Sequence, residues 1–207
     1  MNYKIKNFRD IACYSSVMQS AILYRSSCLL NLTDHKIDDF LKNYGIKTVI
    51  DLRSELECLE NNYLGYIDDK INIIHAPFDP YNQSPSFQTT WGKSGTNEEI
   101  AYRFFMLECK VSIRTVIKSI LASKDPVLVH CTYGKDRTGI IIAILQLLCK
   151  VPSEIILTDY LSNEDTKLEL INIVFEEINQ VGGIELYLSK CALSDAELSK
   201  IKDRLTT

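Results

Sequence analysis

Cys131 and Arg137 stand six positions apart in the stretch VLVHCTYGKDRTG, residues 127–139. A short apolar run, Val127 to Val129, follows Pro126 and reads as a buried strand. Ile140 to Leu148, interrupted only by Gln146, reads as a buried helix. A strand, a tight loop and a helix N-terminus make an anion site. The first N–H groups of a helix have no internal partner, and its dipole is positive there. A thiol at the start of such a loop lies beneath the anion, where inward N–H groups, the helix terminus and a guanidinium all favour thiolate over thiol. Arg137 adds a planar fork that matches two phosphate oxygens. Gly134 lets the backbone take positive φ and come close to a ligand. Nucleophile, cradle and clamp together suit phosphoryl transfer through a cysteinyl-phosphate. The N–H groups from Thr132 through Tyr133, Gly134, Lys135 and Asp136 to Arg137 would hold the equatorial oxygens. Thr138 either donates a hydrogen bond to the departing sulfur or is an ordinary first-turn residue. His130 shapes the loop through backbone hydrogen bonds, Lys135 adds charge beside the pocket, and Tyr133 is bulky enough to narrow its mouth.

The run HCTYGKDRTG resembles the signature loop of the cysteine-dependent phosphatases: His, Cys, five residues, Arg, then Ser or Thr. Its GKDRTG ending is similar to the bacterial branch of atypical tyrosine and phosphoinositide phosphatases. Asn7-Phe8-Arg9-Asp10, Leu23-Tyr24-Arg25-Ser26, Val49 to Ser54, Tyr187-Leu188 and Leu193 to Leu198 resemble further landmarks of that branch and extend the likeness over nearly the whole chain. The resemblance implies one phosphatase-like domain over 1–207. Its substrate would be a phosphoprotein or a phosphoinositide: phosphotyrosine first, with phosphoserine/threonine or phosphoinositide beside it. A Lys in this loop, here Lys135, is associated in relatives with phosphoinositides. No metal or other cofactor is expected, because the loop itself supplies the positive field. Two other classes could use the same residues: a catalytically silent binder of phospho-ligands and a thiolate-based sulfur transferase.

A departing alkoxide or phenolate needs a proton, and two carboxylates compete to supply it. Asp79 lies just past a strand end in Ala76-Pro77-Phe78-Asp79-Pro80, where dual-specificity phosphatases carry their acid; the plainer reading is a turn residue. Asp136 lies inside the loop, and in the branch this chain resembles that Asp is given the acid role; the plainer reading is loop bracing. The same carboxylate would then activate the water that cleaves the intermediate.

The chain has 207 residues, 46% hydrophobic and 24% charged, which fits a soluble globular protein with a substantial core. A net charge of −4 excludes a global basic field for nucleic acid or an anionic bilayer, so phosphate selectivity must be local. No run reaches the length of a membrane helix, and MNYKIKNFRDIACYSS lacks the apolar core of a secretory signal. The cysteines, at 13, 28, 58, 109, 131, 149 and 191, are odd in number, with no C-x-x-C pair. That argues against a disulfide framework or a zinc site and for a reducing cytoplasm, with export lacking a visible signal left open. Oligomeric state is not readable.

These residues need a scaffold, and the hydrophobic spacing outlines one of the α/β class: a small, mostly parallel sheet between helices, with a helix-rich C-terminal half. Strands are expected near Ala21–Tyr24, Ile46–Leu52 and Ile71–His75, besides the one before Cys131. Asp51 and Arg53, at the C-terminal end of theirs, should brace the loop. Arg9, Asp10 and Arg25 read as a buried ion-pair network. A helix capped by Thr33 runs to Tyr44, Ser54 to Asn61 is a short helical connection, and Thr96 to Glu99 opens another helix with a capping box. Helices follow over Val111–Ala122 (packing through Val111, Thr115, Ile117, Ile120 and Leu121), 151–161, 167–181, 184–191 and 196–205, the last opened by a capping box of Ser194 and Glu197. The polar stretch 81–95 reads either as a lid, with Phe87 or Trp91 meeting the leaving group, or as a solvent loop with one aromatic tucked into the core.

Overall fold

A computed structural model describes residues 4–32, 34–62, 71–79 and 95–207. The Thr33 cap and, but for Gly95, the lid stretch with Phe87 and Trp91 lie outside these residues. Among the described residues five strands form one sheet: β1 (Arg9–Asp10), β2 (Leu23–Ser26), β3 (Thr48–Asp51), β4 (Asn72–His75) and β5 (Val127–His130). Their spatial order is β1-β2-β5-β3-β4, with β2, β5, β3 and β4 parallel and β1 antiparallel at one edge. Every residue of β2, β3 and β5 is buried, as expected for parallel strands covered on both faces.

Alternation along these strands separates two cores. Tyr24, Val49 and Leu128 face a cluster built with Ile37, Phe40 and Leu41 of α1 (Asp34–Asn43). Leu23, Ile50, Val127 and Val129 face the larger cluster. That cluster draws on α3 (Asn97–Glu108), α4 (Lys110–Ala122), α5 (Asp136–Leu148), α6 (Ser153–Leu161), α7 (Leu168–Gln180), α8 (Ile184–Lys190) and α9 (Asp195–Leu205). A short α2 (Glu55–Glu60) follows β3. Capping boxes open α2 (Ser54 with Glu57), α3 (Thr96 with Glu99) and α9 (Ser194 with Glu197).

Two expectations are corrected. Val111 is 63% exposed, whereas α4 packs through Ile113, Val116, Ile117 and Ile120. That i, i+3, i+4, i+7 stripe turns Val111 outward. The helix after the loop begins at Asp136, four residues before the apolar run, so Asp136 and Arg137 belong to its first turn. Among the described residues no helix is long and apolar enough to cross a membrane.

Candidate active site

The strand register places Ser26, His130, Asp51 and His75 in one row at the C-terminal ends of β2, β5, β3 and β4. Cys131 is the next residue on the central strand, only 2% exposed. Its Sγ accepts a hydrogen bond from the Gly134 N–H at 3.2 Å, so the loop curls back over the sulfur. Gly134 has φ +72°, and a Cβ there would lie 2.3 Å from the backbone C and O of Ser26. The loop is thus pressed against the end of β2, at a distance only glycine permits. Further bonds fix it from outside: Cys28 N–H to Thr132 O (3.1 Å), Asn7 Nδ2 to Tyr133 O (2.8 Å) and a terminal Arg25 nitrogen to Gly134 O (2.7 Å).

The terminal nitrogens of Arg137, the residue read as the phosphate clamp, meet the two oxygens of Glu57 at 2.5 and 2.7 Å, and the Thr132 hydroxyl donates to Glu57 Oε1 at 2.5 Å. A parallel two-pronged pair is the strongest contact a guanidinium offers, and a carboxylate supplied by α2 satisfies it. Against the burial that would raise it, the Arg137 hydrogen bonds and charge hold the Glu57 carboxyl down at about 2. Glu57 outweighs burial at Arg137 as well and raises its pKa. Glu57 Oε2 also accepts from Ser54 N–H at 2.8 Å, so one side chain caps α2 and braces Arg137. The sequence signal was the S-x-x-E box directly after Arg53, which marked a helix start and no more.

Behind the loop, His130 is fully buried and donates from Nδ1 to Cys131 O at 3.1 Å. Burial lowers its pKa against the facing Asp51, whose Oδ2 lies 3.8 Å from Nε2. Burial alone would raise the Asp51 carboxyl, but His130 and then Arg53 hold it down at about 2. Because burial keeps His130 neutral near pH 7, the pair that counts there is Asp51 with Arg53. Arg53 Nε lies 3.1 Å from both Asp51 oxygens, and a terminal nitrogen 2.8 Å from Oδ2. Arg53 therefore braces the floor of the site.

The buried network expected of Arg9, Asp10 and Arg25 is present, but its hub is Asp159 on α6. Asp159 pairs with Arg9 at 2.6 Å and with the fully buried Arg25 at 3.1 Å. Asp10 instead accepts the N–H groups of Ala12 and Ala21.

Asp136 accepts a hydrogen bond on Oδ1 from the Tyr102 hydroxyl at 2.9 Å, and Tyr102 meets the Tyr160 hydroxyl at 2.6 Å. Asp79 is half-buried, one residue beyond Phe78, whose carbonyl lies 3.5 Å from an Arg137 nitrogen. Asp136 thus lies in the first turn of α5 and is tied to α3, and Asp79 follows a residue whose carbonyl meets Arg137. The Thr138 hydroxyl is buried and has no hydrogen-bond partner among the described residues. Tyr133 is exposed at the rim. With Lys135 it borders a cleft of about 240 Å³ also lined by Lys6, Asn7, Glu164 and Asp165, and Lys135 Nζ reaches Asp165 O at 3.4 Å. Among the described residues no group of His, Cys, Asp and Glu is arranged to hold a metal ion.

Comparison with known proteins gives a consistent picture. The profile of the tyrosine phosphatase family matches residues 3–207. The triple specificity protein phosphatase PtpB of Mycobacterium tuberculosis is 28% identical over 221 residues, covering 93% of this chain and 79% of that protein. A tyrosine-protein phosphatase of Nostoc commune is 31% identical over 159 residues, which is 73% of this chain and 51% of that protein. The crystal structure of P. aeruginosa TpbA superposes with a TM-score of 0.50 at 15% identity, covering 86% of this chain and 98% of TpbA. A second TpbA structure, in complex with pTyr, has the same TM-score at 14% identity. At such identity the likeness shows the fold alone.

Proposed function

The chain belongs to the tyrosine phosphatase family, and from that premise we propose that residues 1–207 form one catalytic domain that hydrolyses phosphomonoesters through a cysteinyl-phosphate. Phosphotyrosine in proteins is its first substrate. The breadth in the name of the Mycobacterium tuberculosis relative supports adding phosphoserine/threonine or phosphoinositide. The observation that carries the reading is the Gly134 N–H directed at Cys131 Sγ at 3.2 Å, beneath a loop that turns into the start of α5.

In the first step Cys131 Sγ attacks phosphorus while the bond to the leaving oxygen breaks. The loop amides and Arg137, held in orientation by Glu57, meet the charge on the equatorial oxygens. Asp136 protonates the leaving oxygen; its tie to Tyr102 favours it over Asp79, which keeps its place as second reading beside Arg137. Water activated by the same carboxylate then cleaves the S–P bond, releasing phosphate and the thiolate. Lys135 at the rim would greet a second phosphate on a phosphoinositide. A reducing cytoplasm suits a reaction that needs a free thiol.

Phosphate release from p-nitrophenyl phosphate by the wild type and by Cys131→Ser tests this. Release by the wild type and its loss in the variant are expected. A wild type that binds vanadate but releases no phosphate would instead be a silent phospho-ligand binder. Formation of a persulfide from thiosulfate would favour sulfur transfer.

A further inference from the structure

We propose that Tyr102 is a positioning residue for Asp136: by donating its hydroxyl hydrogen to Oδ1, it reserves Oδ2 for the proton that Asp136 transfers, and Tyr160 backs it from α6. The inference rests on Asp136 being the general acid.

A phenol has one hydrogen to give. The Tyr102 hydroxyl gives it to Asp136 Oδ1 at 2.9 Å. The 2.6 Å contact between the phenols must then run from Tyr160 as donor to Tyr102 as acceptor. The chain Tyr160 to Tyr102 to Asp136 therefore has one direction, and successive hydrogen bonds along such a chain polarise one another. Tyr102 and Tyr160 are 2% and 1% exposed. Burial and the Asp136 charge raise the Tyr102 hydroxyl's pKa, and burial raises that of Tyr160, so both stay protonated donors.

The proton inventory follows. When Asp136 is neutral, the Tyr102 hydrogen occupies Oδ1 and the acid proton sits on Oδ2. As the S–P bond forms and the P–O bond breaks, that proton passes from Oδ2 to the leaving oxygen. Asp136 becomes a carboxylate whose Oδ1 already holds its hydrogen bond, so no group has to reorient during the step.

Packing keeps the relay in place. A Cβ on Gly139, one turn into α5, would lie 2.9 Å from the Tyr160 ring, so the ring is seated against bare backbone. The residue before it, Asp159, pairs with Arg25, whose other terminal nitrogen holds Gly134 O. Consecutive residues of α6 thus brace the catalytic loop at two separate points.

The test compares kcat/KM, which reports only the first chemical step, for Tyr102→Phe, Asp136→Asn and the double variant. The substrates are aryl phosphates with leaving groups from p-nitrophenol to unsubstituted phenol. Tyr102→Phe should lose roughly ten-fold on phenyl phosphate, the loss of one hydrogen bond to a charged group, and little on p-nitrophenyl phosphate. Vanadate inhibition should be unchanged, and in the Asp136→Asn background the substitution should cost nothing further. Tyr160→Phe, which leaves Asp136 its direct donor, should show the same leaving-group pattern at smaller size and serves if Tyr102→Phe does not fold. A loss equal across leaving groups, or one persisting in the Asp136→Asn background, would overturn the positioning role while leaving the acid reading intact. Asp136→Asn with no leaving-group dependence would overturn the acid reading and this inference with it.

Discussion

Glu57 and Arg137, eighty positions apart in the chain, form a parallel ion pair with contacts of 2.5 and 2.7 Å. Replacing the carboxylate by an amide leaves the guanidinium half-met, and Glu57→Gln is expected to lower kcat/KM by roughly ten- to a hundred-fold. It should weaken vanadate inhibition in parallel, because the clamp loses its orientation. Steady-state kinetics with and without vanadate check this; an unchanged inhibition constant would contradict it.

Gly134→Ala must place a methyl 2.3 Å from the Ser26 backbone at φ +72°. Backbone cannot yield as a flexible side chain would, so the loop itself must move. A displacement of about 1 Å at a reacting centre costs on the order of a hundred-fold. The expected result is a loss of at least that size in phosphate release. Alkylation of Cys131 by iodoacetamide at pH 7 should also slow, since the moved loop carries the residue-134 N–H away from the sulfur.

Asp159→Asn leaves two arginines without their counter-charge, one of them fully buried. Breaking a buried pair from one side costs about 3–5 kcal/mol. Urea unfolding should show a loss in that range. The same variant should reduce activity, because Arg25 is the group that holds Gly134 O.

Stability should fall in two stages as the solution is acidified. Burial depresses the pKa of His130, so the folded state must exclude a proton the unfolded chain binds below about 6.5. That contribution is whole above 6.5 and shrinks beneath it. Glu57 and Asp51 are each held at about 2, against ordinary values of 4.5 and 3.8. Their contribution is whole above those ordinary values and is lost as pH falls toward 2. Urea midpoints measured from pH 8 to pH 3 should decline gently below 6.5 and steeply below 4.5. His130→Gln should flatten the first stage and Glu57→Gln part of the second.

What the sequence revealed was what neighbours in the chain decide among themselves. Cys131, Gly134 and Arg137 share one loop, and the boxes at Thr96 and Ser194 close within three residues, so spacing alone exposed them. Partners brought in from elsewhere left no such trace. Asp159 reaches Arg25 across 134 positions and Tyr102 reaches Asp136 across 34. Tyr102 and Tyr160 stand 58 positions apart on separate helices, and only the fold shows their hydroxyls meeting. The helix start was hidden for another reason: α5 begins at Asp136, four residues before the apolar run that marks it, so Thr138 already lies inside its first turn.

Because β5 lies inside the sheet, paired on both sides, the Cys131 sulfur follows directly on a strand anchored along both edges. Such an anvil cannot adjust to the bulk of what is brought to it. Under the proposed reaction, tolerance for differently shaped phosphate esters has to come from the rim, where Tyr133 stands 64% exposed.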